Sequence, residues 1–351
     1  MFEELILHIG MPKTGTTSIQ RALNSARGGA DWTYLDLNPP HSANPVILRA
    51  HGGISPVGTH PGPRGVQTSD AARAHLDNML ASVRTPRAIL SAEVMVRLPP
   101  AAIANLLAHL SAHTRKITAI AYIRPPYSFV TSYTQQFYKT GYGPLADVIR
   151  RAQRPIPADI SIWDHALGHG NVRLFPFVPD TFAEGSVVQH FAEVLALGPL
   201  VERSGNANVS LGGEGTRLLA LFRRHNPARH PHDGRILHRL AKLGGQPFRL
   251  HPACLTDMAE MAEATRTWAS DRMGWAISEV PPEADERSIR QDADFEDILL
   301  ESLDWLAEKA GLPANHLYTD SLAIADAVRS LRDHPTGQSR IGRIAKRLRL
   351  A

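Results

Sequence analysis

Lys13 sits two residues before the second glycine of Gly10-Met11-Pro12-Lys13-Thr14-Gly15-Thr16-Thr17, directly after the apolar run Leu5-Ile6-Leu7-His8-Ile9. Two glycines let the backbone curl until several N–H groups converge, and a helix opening at Thr16 turns its positive end into the same hollow. Pro12, Lys13, Thr14, Gly15, Thr16 and Thr17 are therefore the candidate residues for holding a phosphate-like anion. Further along, Arg124 and Ser132 stand eight positions apart. A guanidinium with a hydroxyl suits a phosphate dianion, because arginine can donate two parallel charge-assisted bonds. Two such sites match a nucleotide with phosphates on both sides of its ribose, which ATP is not. The common nucleotide loop also carries its lysine directly after the second glycine, where this chain has Thr16.

The elements that must place these residues alternate strand and helix. Apolar Ile19, Ala22, Leu23 and Ala26 at helical spacing predict a helix from Thr16 to Arg27, stopped by Gly28-Gly29. Strands are expected at 32–35, at 87–92 ending beside Glu93, at 116–123 ending at Arg124, and at 171–175. Helices are expected at 69–83, 100–113, 126–139, 145–152 and 159–168. Strands separated by helical crossovers imply a mostly parallel sheet with right-handed connections, which binds ligands at the carboxyl ends of its strands. Residues 38–68, rich in Pro, Gly and His, have the length of a substrate-side lid. From Ser186 onward helices dominate, at 186–197, 214–225, 233–243, 252–268 and 292–310.

The loop G-x-P-K-[ST]-G-[TS]-[TS] after a first strand resembles that of the sulfotransferases, in the bacterial and carbohydrate-type branch. The resemblance implies a P-loop-containing, Rossmann-like α/β fold. It also implies that the loop grips the 5′-phosphosulfate of 3′-phosphoadenosine-5′-phosphosulfate (PAPS), that Arg124 and Ser132 bind its 3′-phosphate, and that 3′,5′-adenosine bisphosphate is the product. Lys13 would then neutralise the leaving phosphate, with no metal required. Glu93 falls near the position where some carbohydrate sulfotransferases use a glutamate, so it is the candidate general base, with His51 and His113 next. A carboxylate in a closed, partly desolvated site has its pKa raised towards the working range. Arg203, in a stretch resembling R-x-x-N-x-N-x-S, is a further candidate cofactor contact. The chain lacks the R-K-G-x-x-G signature of the cytosolic animal enzymes. The expected acceptor is a hydroxyl or amine of a saccharide or glycoconjugate; a P-loop kinase using ATP and magnesium, or a nucleotide-binding module without turnover, are the alternatives.

With 351 residues, 43% hydrophobic and 21% charged, the chain reads as a globular protein rather than a disordered one. The expected organisation is a PAPS-binding core over 1–200, a helical continuation of the same domain over 201–336 that helps shape the acceptor site, and a basic tail over 337–351. A net charge of +4, from 38 basic against 34 acidic residues, suits anionic ligands without indicating nucleic acid. Cys254 is the single cysteine, so no intrachain disulfide can form and a reducing, cytoplasmic setting is expected. The tail has basic residues beside an apolar stripe, Ile341, Ile344, Ala345 and Leu348, a pattern that suits weak contact with an anionic membrane surface. His225, His230 and His232 lie in a Pro-rich loop without a cysteine or carboxylate pair, which argues against a metal there.

Overall fold

Strand β1, Phe2–His8, is buried along nearly its whole length, as a strand covered on both faces must be. The computed structural model describes residues 1–38, 43–52, 63–201, 211–313 and 320–333. Around β1 lie β2 (Trp32–Tyr34), β3 (Arg87–Ser91), β4 (Thr114–Ile123) and β5 (Val172–Pro176), in the order β2-β3-β1-β4-β5. All four pairings are parallel; His8 lies opposite Ser91 on one side and Ile120 on the other. The chain thus winds outward from β1 in both directions. The loops that leave β1, β3 and β4 converge at the carboxyl edge, where such a sheet binds ligands.

One apolar layer covers each face. Helix α1 (Thr16–Ala26) buries Ile19, Ala22 and Leu23 together with Phe191 and Leu195 of α8 (Val187–Leu195). On the other face pack α2 (Asn44–Ile47), α3 (Ser69–Ala81), α4 (Pro100–Ser111) and α7 (Ile156–Leu167), around Leu76, Leu106, Ile160 and Trp163. Inside the stretch expected to be a lid, α2 continues into a π-helical turn, Leu48–Gly52, with Val46, Ile47, Ala50 and His51 buried. The Arg73 side chain on α3 donates to the Ala50 carbonyl at 2.9 Å and holds this turn. Residues 44–52 are therefore part of the core; 39–42 and 53–62 lie outside the described residues.

The described residues fall into two units whose sequences interleave. The first, holding the sheet, comprises Met1–Phe129, Gln153–Ala207 and Met258–Val280; the second comprises Val130–Ala152, Asn208–Asp257 and Pro281–Ala351. Helix α5 (Pro126–Thr140) begins in the first unit and continues in the second, followed there by α6 (Leu145–Ala152). The second unit also contains α9 (Gly213–His225), α10 (Asp233–Leu240), α12 (Leu300–Ala310) and α13 (Ser321–Asp333), around Leu218, Phe222, Ile236, Leu306 and Val328. Within it, buried Arg223 pairs with Asp233 at 2.8 Å.

Two expected helices start later than their apolar spacing suggested. The one predicted at 252–268 is α11, Ala259–Met273, because Pro252 opens a separate 3-10 turn. The one predicted at 292–310 begins only at Leu300: a capping box between Gln291 and Asp294 starts a 3-10 turn that closes at Asp297. Helix α13 had no counterpart in the sequence reading. The tail over 337–351 lies outside the described residues. No described helix is long and apolar enough to cross a membrane.

Candidate anion-binding and transfer site

The loop after β1 is tightly wound. Gly10, Lys13 and Gly15 all have positive φ, at 61°, 66° and 75°. Lysine pays for that conformation where glycine does not, by roughly 1–2 kcal/mol. A Cβ on Gly10 would stand 2.9 Å from the Cα of Glu93, so glycine here is what lets the β1 and β3 ends touch. Thr14 and Thr16 are buried, and both hydroxyls donate back to the Met11 carbonyl, at 2.7 and 3.4 Å. These two side chains hold the arch in shape. Pro12 and Lys13 are half-buried on it, and Thr17 is exposed. Gly15 caps α1 without offering a side chain, so the first N–H groups of the helix face the hollow as an anion would require.

Glu93 is the first residue of a 3-10 turn, Glu93–Arg97, that follows β3. Burial raises its pKa, against the opposing pull of Arg97, Lys13 and Arg154. Burial and then the Arg124 charge lower the pKa of Lys13, which Glu93 partly offsets. The ammonium and the carboxylate are thus electrostatic neighbours across the β1 and β3 ends. Ser91 is fully buried: its hydroxyl meets His8 Nδ1 at 2.8 Å and accepts from Gln20 Nε2 at 3.1 Å. Those bonds hold Ser91 in the core, and Glu93 is the next ionisable side chain after β3.

Arg124 leaves β4 and reaches back to the loop, its Nη1 donating to the Lys13 carbonyl at 2.8 Å. Its Nε donates to the Ser128 hydroxyl at 3.2 Å, and the guanidinium lies over the Phe177 ring, 5.5 Å from its centre. The arginine is therefore fixed on three sides. At the first turn of α5 the backbone N–H groups of Tyr127 and Ser128 donate to the two carboxylate oxygens of Glu279, at 2.7 and 2.6 Å. Burial raises the Glu279 pKa, while these hydrogen bonds and Arg124 pull it down. A carboxylate thus occupies a helix N-terminus beside Arg124, the kind of place where a phosphate binds.

No family model matches this chain, and no curated protein matches it. Among solved structures, a sulfotransferase from Alicyclobacillus acidocaldarius superposes with a TM-score of 0.39 and 15% identity, over 74% of this chain and 94% of that one. The sulfotransferase domain of the Synechococcus PCC 7002 olefin synthase superposes with a TM-score of 0.32 and 13% identity, over 56% of this chain and 74% of that one.

Of the residues singled out from sequence, Pro12 to Thr17, Glu93 and Arg124 meet at the carboxyl edge of β3, β1 and β4. Ser132 falls in the second unit, and the hydroxyl that Arg124 engages in the first is that of Ser128. Arg203 lies outside the described residues. His113 precedes the amino end of β4, ten residues of strand away from Arg124, or roughly 30 Å at the rise of an extended chain. His51 is bonded to His109, on the last turn of α4. Neither histidine belongs to this edge. Glu279 was not foreseen: it stands about 150 positions after the helix it caps, and the only local signal was that α5 opens on prolines with no acid of its own in its first turn.

Proposed function

We propose that the chain is a sulfotransferase that moves a sulfuryl group from PAPS to a hydroxyl of a saccharide or glycoconjugate, releasing 3′,5′-adenosine bisphosphate. The observation that carries the reading is the convergence of a glycine-bounded anion loop, its arched Lys13, Glu93 and Arg124 on three adjacent strand ends. The loop N–H groups and the start of α1 suit the 5′-phosphosulfate. Lys13 stands where negative charge must be neutralised as the bond between sulfur and the bridging phosphate oxygen breaks. Glu93 takes the proton of the acceptor hydroxyl while that oxygen forms its bond to sulfur; the raised pKa makes it a stronger base than an exposed glutamate. Arg124, braced against the loop, is the cation for the 3′-phosphate.

A saccharide is the acceptor that a carboxylate base suits in the resemblance drawn above. Because the loop brings its own cation, the reading asks for no metal at the leaving group. Calorimetric titration tests it: 3′,5′-adenosine bisphosphate should bind without magnesium and far more tightly than ADP, and Lys13→Ala should lose most turnover of labelled PAPS. Equal affinities for the two nucleotides would overturn the assignment.

A further inference from the structure

At the opposite edge of the sheet, three side chains bring their ligating atoms together. Asp77 Oδ1 lies 2.7 Å from His109 Nε2 and 2.9 Å from His113 Nε2, and all three atoms fall within 4.8 Å of one another. The sequence builds this from two amphipathic helices. On α3, Leu76 and Leu80 face the core, which leaves Asp77 at the margin; on α4, Leu106 and Leu110 do so, which leaves His109 at the margin, and His113 follows four positions later. The Asp77 side chain is 47% exposed, so the cluster opens to solvent. Behind it, His109 Nδ1 lies 2.9 Å from the Nε2 of buried His51. The outer nitrogen of that ring, Nδ1, is itself buried and has no hydrogen-bond partner among the described residues.

We propose that Asp77, His109 and His113 bind a divalent transition metal, zinc by preference, with water in the fourth position. Two imidazole nitrogens and one carboxylate oxygen are a common three-residue set for zinc. Ligands about 2.0–2.1 Å from a tetrahedral zinc lie about 3.3 Å from each other, so the two short contacts need to open by only a few tenths of an ångström while the histidines close together. A ligating histidine usually donates its other ring N–H to a second group that fixes its tautomer. His51 is that group for His109. Without metal, His109 carries its proton on Nε2, towards Asp77, and accepts at Nδ1 from His51 Nε2–H; with metal, it must carry it on Nδ1 and donate to His51 Nε2, and the proton of His51 moves to its own Nδ1. The ion would pin the end of α3 to the end of α4, far from Lys13, and its water-filled fourth position leaves it open to an added ligand. This inference is independent of the proposed reaction.

The test is titration of the metal-stripped full chain with zinc, followed by calorimetry and by ¹⁵N spectra of the imidazoles. The expected result is one zinc per chain, a switch of His109 from the Nε2–H to the Nδ1–H tautomer, and a rise in melting temperature. His109→Asn and His113→Asn should each lose the ion, and His51→Leu should weaken it by about 10–100-fold. His230→Ala with His232→Ala should leave it in place. If an altered ligand prevents folding, the wild-type spectra still decide. Zinc that leaves the His109 and His113 resonances unmoved, or no stoichiometric binding at all, overturns the proposal.

Discussion

Replacing Glu279 by glutamine tests whether Arg124 marks a phosphate site. In the structure the Glu279 carboxylate holds both first-turn N–H groups of α5, at 2.7 and 2.6 Å, beside that guanidinium. A dianion arriving at Arg124 meets this negative charge. At roughly 8 Å and an effective dielectric of about 20, each pair of unit charges costs about 2 kcal/mol, so the two charges of a dianion cost about 4 kcal/mol. Screening near the surface reduces that to about 1.4 kcal/mol, a factor of about ten in affinity. The effect on stability should be small, because two terms oppose. Glutamine loses a charge-assisted bond, a loss of about 1–2 kcal/mol, while removing a charge whose pKa burial has already raised. The assay is calorimetry of Glu279→Gln with 3′,5′-adenosine bisphosphate and with AMP, beside a denaturation curve. The bisphosphate should bind about tenfold more tightly, AMP nearly unchanged. An equal gain for both nucleotides, or no gain, refutes the reasoning that places a phosphate at Arg124.

Two further substitutions test the same edge. Glu93→Gln should cut turnover by about 10²–10⁴-fold with donor affinity retained; in the wild type, activity should be lost on acidification at a pH above the ordinary glutamate value, since burial raises this pKa. The stability effect has the opposite sign. A raised folded pKa means that stability is fully present at low pH and is lost as pH rises through that value, so Glu93→Gln should melt higher than wild type at pH 7 and lose that advantage on acidification. Gly10→Ala forces a Cβ to 2.9 Å from the Glu93 Cα at a φ of 61°; the denaturation midpoint should report a loss of about 2 kcal/mol or more, and an unchanged midpoint would show that the loop yields.

The loop and the strand ends were legible because each signal there is local. Glycine spacing, a lysine on the arch, and an apolar run ending in Glu93 or Arg124 all sit within a few residues of one another. Helix starts at 259 and 300 were not, because apolar spacing continues through 3-10 turns and only backbone capping sets the boundary. Glu279 and the Asp77, His109 and His113 cluster were hidden for a different reason. Their partners are 32 to 152 positions apart, and nothing in a single sequence reports which surface positions the fold brings together. The burial of residues 44–52 was masked by their neighbours: one short apolar stretch, Pro45-Val46-Ile47-Leu48, lies amid Pro, Gly and His.

The chain leaves the sheet-bearing unit after Phe129 and again after Ala207, and it returns for the last time at Met258–Val280. During synthesis, then, the loop, Lys13 and Arg124 emerge early, whereas Trp268, Trp275 and Glu279 emerge last. Val280 must have been added before this unit has all its parts, and the pairing of so distant a segment slows folding. A chain halted at residue 257 would leave the first-turn N–H groups of α5 without Glu279 and the core without Trp268 and Trp275.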